Sequence, residues 1–275
     1  MTPRGLIARN LVAGYGRAPI LDGLDLAVPE GRITAIVGAN ASGKSTLLRA
    51  LARLLVPARG AVLLDGEALH RIPPRRLARR LGLLPQSPLA PEGITVHELV
   101  GRGRHPHLGL FGRWRAADEA AVAEALEATG MAALAERPLD ELSGGQRQRA
   151  WIAMALAQQT RILLLDEPTT FLDISHQIEV LELLGDLNRA RGITIVMVLH
   201  ELNLAARHAD LLLAMAAGRI HALGPPDAVL TPAMVAEVFG LAARVIPDPV
   251  TGRPMMVPVG RLSRPARPAP LQERD

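Results

Sequence analysis

Short apolar runs cut by turn residues give way along the chain to longer stretches in which apolar positions recur every three or four residues. Residues 6 to 37 show the first rhythm. Leu11-Val-Ala, Gly14-Tyr-Gly16, the run from Ile20 to Val28 and Pro29-Glu-Gly31 follow one another as β-hairpins do. Ile33-Thr-Ala-Ile-Val37 predicts a short buried strand, and Leu47, Leu48, Leu51, Leu54 and Leu55 predict a helix just after it. From residue 44 onward, helical stretches alternate with strands at 61–64, 162–165, 193–199 and 211–215, the order of an α/β sheet with helices packed on it. The middle, about 87 to 160, is mostly helical, with an Ala/Glu-rich amphipathic stretch from Arg115 to Thr129 that Gly130 stops. The expected fold is therefore α/β, with an N-terminal antiparallel β subdomain and an inserted helical subdomain. The tail from Arg261, rich in Pro and Arg, is expected to be disordered.

Composition narrows the class without naming it. With 275 residues, 49% of them hydrophobic, the chain can bury a sizeable core. No apolar run approaches the length of a membrane span, and the N-terminus lacks the apolar centre of a signal peptide, so the chain is expected to stay in the cytosol. Cysteine is absent, which excludes disulfides and thiolate metal sites. The net charge is only +4 and the aromatic residues are too few for a base-stacking platform, so no nucleic-acid partner is expected. The cluster Arg75-Arg76, Arg79-Arg80 suits a solvated face, anionic lipid or a partner.

Thirty of the 31 basic side chains are arginine, and the one lysine, Lys44, lies inside Gly38-Ala-Asn-Ala-Ser-Gly43-Lys44-Ser45-Thr46. Arginine is a broad planar fork and lysine a compact charge on a thin stem, so lysine is the cation that threads a tight backbone loop. The segment fits the G-x-x-x-x-G-K-[ST] phosphate loop: the amides of Gly38, Ala39, Asn40, Ala41, Ser42 and Gly43 cradle phosphates, Lys44 reaches the β and γ oxygens, and the hydroxyl of Ser45 holds Mg²⁺. The predicted strand before it and helix after it aim a helix N-terminus at the anion.

Further along, the buried strand Ile162-Leu-Leu-Leu165 runs into Asp166-Glu167-Pro168, which puts two acids at the edge where α/β sheets hold ligands. Successive side chains on a strand point oppositely, so Asp166 is assigned to the metal and Glu167 to the attacking water. A capped strand end before a turn is the alternative. Ser143-Gly144-Gly145-Gln146 opens a second helix with a hydroxyl and mobile amides, the makings of a second phosphate-facing loop or of an ordinary N-cap.

Gly38 to Thr46, Gln86, Leu142-Ser-Gly-Gly-Gln146, Ile162 to Glu167, Leu172-Asp173 and His200, in this order, resemble the ATP-binding subunit of an ABC transporter. The resemblance implies a phosphate-loop ATPase cassette over residues 4–245, with the helical subdomain at about 87–160 and an extension over 246–275. It implies ATP and Mg²⁺ as cofactors, and a homodimer in which Ser143 to Gln146 of one copy close on the γ-phosphate held by the other. By the same resemblance Tyr15 stacks on adenine, Gln86 joins Mg²⁺ and water to the transmembrane partner, His200 contacts the γ-phosphate, and Asp173 signals across the dimer. A hairpin tyrosine, a surface histidine and a helix cap are the plainer readings of Tyr15, His200 and Asp173.

A narrower resemblance rests on Gly101-Arg-Gly-Arg-His-Pro-His107, Gln146 to Met154, Asp166 to Ile174 and Val245 to Gly252, which look like the importers of ferric siderophores, with haem and cobalamin importers as relatives. It implies a peripheral protein on the cytoplasmic face of the inner membrane. Its partners would be integral membrane permease subunits, with a periplasmic or surface substrate-binding protein involved indirectly. Glu201 stands where the family usually has Asp, and Ala216-Ala217-Gly218 lacks a common acid. Two other classes compete: a soluble ABC-type ATPase acting on nucleic acid, which commonly carries two cassettes, and a nucleotide-sensing scaffold, which would be expected to lose Glu167 or His200.

Overall fold

A computed structural model describes residues 5–16, 18–109 and 112–261. Strands β1 (Leu6–Tyr15) and β2 (Ala18–Ala27) pair antiparallel, from Ile7 opposite Ala27 to Tyr15 opposite Ala18. On its other side β1 pairs with β4 (Arg59–Leu64), and β5 (Glu67–Ala68) closes a four-stranded sheet in the order β2-β1-β4-β5. The hairpin rhythm predicts the β1–β2 pair of this N-terminal β subdomain, whereas the strand expected at 61–64 in the α/β sheet joins it instead as β4.

The main sheet takes the order β10-β9-β3-β8-β7-β6. Its members are β3 (Ile33–Gly38), β6 (Leu81–Leu84), β7 (Ile162–Asp166), β8 (Thr194–Val198), β9 (Leu211–Ala216) and β10 (Arg219–Gly224). All pair in parallel except β10, which runs antiparallel to β9. Every residue of β3, β7 and β8 is buried, because both faces of the sheet are covered and the alternation of a half-exposed strand is lost. Alternate residues feed two cores. Leu163, Leu165, Ile195 and Met197 pack on the helical side, whereas Ile36, Leu164, Val196 and Val198 meet Leu47, Leu48 and Leu51 under the antiparallel sheet.

Helix α1 (Lys44–Leu51) is shorter than its leucine pattern predicts. Arg53 takes a left-handed φ of 60° and donates to the carbonyl of Leu69 at 2.9 Å, which turns the chain out of the helix and leaves Leu54 66% exposed. After α2 (Pro74–Ala78) and β6, the inserted region holds α3 (Val96–Arg102), α4 (Ala116–Ala128) and α5 (Gly144–Ala157). Helix α3 starts on a capping box in which Thr95 and Glu98 satisfy each other's backbone N–H. The remaining helices are α6 (Ile174–Arg191), α7 (Leu202–His208), α8 (Pro226–Val229) and α9 (Pro232–Phe239). Strands β11 (Leu241–Pro247) and β12 (Pro254–Arg261) then form a hairpin, held to α7 by two hydrogen bonds between Asn203 and the backbone of Met256 at 2.8 and 3.1 Å. The boundary expected at 245 thus falls within a hairpin that the sequence pattern does not announce. The tail expected to be disordered lies, past Arg261, outside the described residues.

One buried ion pair ties the helical subdomain together. Arg104 donates from Nε to Asp118 at 3.0 Å, and its Nη1 donates to the carbonyl of Ala157 at 2.7 Å and to Gln159 at 2.9 Å. The two side chains are 5% and 6% exposed, so removing the cation leaves a carboxylate stranded. Arg104→Met is expected to lower unfolding stability by about 3–5 kcal/mol, measured by denaturant titration. A loss under 1 kcal/mol, roughly what an exposed pair contributes, would contradict this burial.

Acid should weaken the fold through His208, at the end of α7. Burial, and after it the charge of Arg207, pushes the imidazole below its ordinary value, and its Nε2 is buried without a hydrogen-bond partner among the described residues. A depressed histidine is neutral in both states above about pH 6.5, and below that the unfolded chain takes up the proton first. Stability contributed above that value is therefore lost as pH falls through the window beneath it. Melting temperatures measured at about pH 7.5 and 5.5 should fall less steeply for His208→Leu than for the unaltered chain, and parallel falls would contradict the assignment.

Candidate active site

The parallel register gathers the predicted residues at one edge. Gly38 ends β3 beside Met215 of β9, Asp166 ends β7 beside Val198 of β8, and Leu84 of β6 lies beside Leu165. The loops that leave these strand ends, carrying Lys44, Gln86, Glu167 and His200, share the carboxyl edge, where ligands of such sheets sit.

The phosphate loop is tightly braced. Ser42 N–H donates to the Ala39 carbonyl at 3.2 Å, and the Gly218 N–H, from the turn between β9 and β10, donates to the Ser42 carbonyl at 3.0 Å. A Cβ on Gly38 would lie 2.4 Å from the Met215 carbonyl oxygen and 2.7 Å from Ser42 Oγ, so only glycine fits there. Ala41 takes a left-handed φ of 61°, a strain typical of ligand loops. Lys44 is 5% exposed, and its Nζ donates to the carbonyls of Gly38 at 2.9 Å and Ala39 at 3.0 Å, so the ammonium closes the loop on itself. Burial pulls its pKa below the usual lysine value, against the pull of Glu167 and Asp166. Helix α1 has no side-chain cap and no acid in its first turn.

This cradle fits a polyphosphate. Uncapped amides and the Ser42 hydroxyl, buried without a partner among the described residues, lack the acceptors that phosphate oxygens supply, and the buried Lys44 adds a cation beside them. Asn40 to Thr46, with Ile20, Glu167 and His200, line a cleft of about 380 Å³. Clefts of about 450 and 630 Å³ lie elsewhere, and neither contains a residue of the phosphate loop. Chemistry rather than volume singles out the smaller one.

The strand ends at Asp166 and Glu167 leaves it in a left-handed turn, so the two acids are set apart by that turn rather than by strand alternation. Ser45 Oγ donates to Asp166 Oδ1 at 3.0 Å, which sets a hydroxyl and a carboxylate side by side. Burial pushes the Asp166 carboxyl above the usual carboxylate range, the Ser45 hydrogen bond pulling the other way. Two hard oxygen donors at a buried anionic site suit Mg²⁺, which takes few protein ligands and shares the rest with water and phosphate. Glu167 leaves the strand with a left-handed φ of 55° and collects two donors, Gln86 Nε2 and Thr170 Oγ1 at 3.0 Å, while His200 Nε2 lies against its other oxygen at 2.6 Å. Its side chain is 10% exposed, against 44% for His200.

Ser143 to Gln146 and Asp173 stand apart from this cleft. Ser143 caps α5 in a box with Gln146, at 3.2 and 3.1 Å. Gly145 packs so closely on His176 that a Cβ would meet its ring at 2.1 Å. Asp173 caps α6, accepting from His176 N–H at 3.0 Å, from Ser175 Oγ at 2.8 Å and from the His176 ring at 2.8 Å. Those bonds, the one from the His176 backbone first, hold its carboxyl down at about 2. Tyr15 ends β1 half-exposed, and its hydroxyl accepts from Arg49 Nη1 at 2.9 Å, outside the residues that line the cleft.

Sequence reasoning missed Thr170 and Ile20. Thr170 lies three residues after Glu167, where a turn brings its hydroxyl back, and that spacing was the available signal. Ile20 had none, because nothing in a hairpin residue announces its place beside the phosphate loop.

Known proteins share these features. Residues 21–170, more than half of the chain, match the family described as ABC transporter. The chain is 53% identical over 256 residues to the ferric enterobactin transport ATP-binding protein FepC of Escherichia coli (strain K12), covering 93% of this chain and 94% of that one. It is 52% identical over 256 residues to the achromobactin transport ATP-binding protein CbrD of Dickeya dadantii (strain 3937), covering 93% and 95%. Among solved structures, an ABC transporter in an inward-facing conformation superposes with a TM-score of 0.81 at 28% identity, covering 94% of this chain and 98% of that one. The dimeric structure of MJ0796, a bacterial ABC transporter cassette, superposes with a TM-score of 0.68 at 28% identity, covering 80% and 98%. A match over more than half of the chain and relatives at 52–53% identity over nearly its whole length show that the chain belongs to the ABC transporter family, as one of its ATP-binding subunits.

Proposed function

We propose that two copies of the chain bind and hydrolyse ATP between them and so drive integral membrane permease subunits that import a ferric siderophore. The observation that supports this most is the meeting, at one sheet edge, of the Lys44 loop, the Ser45–Asp166 pair and Glu167 with its two donors and His200. Lys44 exchanges the carbonyls of Gly38 and Ala39 for β and γ phosphate oxygens, and the loop amides take the rest. Tyr15 stacks on adenine. Ser45, Asp166 and Gln86 hold Mg²⁺, which when bound neutralises charge on the phosphates. Glu167 accepts a proton from water as the water oxygen bonds to the γ phosphorus and the bond from phosphorus to the ADP oxygen breaks. His200 supports the γ-phosphate, and Ser143 to Gln146 of the second copy close over it. Asp173, capping α6, relays closure between the copies.

The chain sits on the cytoplasmic face of the inner membrane, and a periplasmic or surface binding protein brings cargo to the permease without touching it. Among the described residues no helix is long and apolar enough to cross a membrane, so attachment falls to the partner. The relatives named for enterobactin and achromobactin transport support an iron chelate as cargo. Reconstitution with permease and binding protein tests it: ferric siderophore is expected to stimulate ATPase activity above haem and cobalamin. Stimulation by haem or cobalamin alone would overturn the cargo.

A further inference from the structure

Five arginines meet in one groove at the far edge of the main sheet from the phosphate loop. Arg79 and Arg80 immediately precede β6, at its amino end, whereas Gln86 and the catalytic cluster follow the carboxyl ends. With Arg75, Arg76, Arg115 and His107 they line a cleft of about 630 Å³. Two of the five have counter-charges: Arg76 pairs with Glu67 at 2.5 Å and Arg80 with Asp65. Arg75, Arg79 and Arg115 form no ion pair with a carboxylate among the described residues, and two acids of the same region are committed elsewhere. Asp118 is bound to Arg104, and Asp65 to Arg80 and Arg161.

The arrangement is built rather than loose. Arg75 and Arg79, one helical turn apart, each donate from Nε to the same neutral acceptor, the Pro106 carbonyl, at 2.9 and 2.8 Å. Like charges at this spacing repel, and a carbonyl oxygen does not cancel them. Their Nη groups remain for another acceptor. His107 closes one side of the groove: its Nε2 bonds the Gln158 carbonyl at 2.8 Å, and burial holds its ring below the ordinary value, with smaller contributions from Arg104 and Arg79 against the pull of that bond.

We propose that this groove binds a phosphate-bearing anion through Arg75, Arg79 and Arg115. The guanidinium fork matches phosphate oxygens in pairs, and three unmatched forks around one cleft supply more charge than a single carboxylate would use. Two sources share this chemistry: the headgroup of an anionic phospholipid at the membrane that the permease occupies, and a soluble polyphosphate. The proposal does not depend on the cargo, and the groove is remote from the ATP site.

The test compares the unaltered chain with the triple variant Arg75→Gln, Arg79→Gln, Arg115→Gln in two arms. In the first, both are sedimented with phosphatidylcholine vesicles with and without phosphatidylglycerol. In the second, inorganic pyrophosphate is titrated into each by calorimetry, and the difference between the two chains separates the groove from the phosphate loop. Affinity is expected to fall on the order of a hundredfold in one arm, with ATPase activity and melting temperature unchanged. A loss confined to the vesicles assigns a lipid headgroup, and a loss confined to pyrophosphate assigns a soluble ligand. Should the triple variant not fold, Arg75→Gln alone is expected to weaken binding about fivefold. Equal binding by variant and unaltered chain in both arms overturns the proposal.

Discussion

Lys44→Arg is expected to cut ATP turnover on the order of a thousandfold while the fold persists. The ammonium is 5% exposed and lies within 3.0 Å of two carbonyls of its own loop, in a space bounded by Gly38, where even a Cβ would meet backbone oxygen at 2.4 Å. A planar guanidinium is wider than that opening, so it must either leave the loop or spread it, and both remove the donor from the phosphates. Charge is conserved in the substitution, which isolates shape. Lys44 also carries a burial penalty that its neighbouring acids only partly offset, so the free chain loses little stability with it. Turnover within tenfold of the unaltered chain would refute the idea that a compact cation is required.

Glu167→Gln should stall the reaction after binding, with turnover down about 10²- to 10⁴-fold, the range that a positioned base contributes. Two donors converge on the Glu167 carboxylate with His200 in contact beside them, and an amide of the same shape can keep one or both donors but cannot take a proton from water. The variant is expected to hold ATP and accumulate as a dimer on a sizing column. The reason lies in the geometry of the second loop. Ser143 to Gln146 line no part of the cleft that holds Lys44, and Gly145 is pinned against His176 of the same chain, so in the shared site proposed above that surface comes from a second copy. A monomer at saturating ATP and Mg²⁺ would count against the shared site.

Much of the site was legible because motif and register reinforce each other. Gly38 to Thr46 announces a loop after a strand, Asp166-Glu167 ends a fully apolar run, and parallel pairing then brings Asp166, Gln86 and His200 to the same edge. Long-range contacts were legible only where a strand end fixed them. The two-donor hold on Glu167 was not, since Thr170 looks like any turn threonine until the backbone folds it back. Nor was the early end of α1, where Arg53 breaks a leucine pattern that continues at helical spacing. The C-terminal hairpin escaped for a different reason. Its strands are short of buried alternation, and its anchor is a side chain, Asn203, more than 50 residues away.

The central claim is that a triphosphate binds around Lys44 and is completed by another copy of the same polypeptide. Its most direct test is a crystal structure of the Glu167→Gln chain grown with ATP and Mg²⁺. Two nucleotides are expected, each with its β and γ phosphates on Lys44 and the loop amides of one copy and its γ-phosphate against Ser143 of the other. Nucleotide bound elsewhere, or a phosphate loop covered by side chains of its own copy, would contradict it.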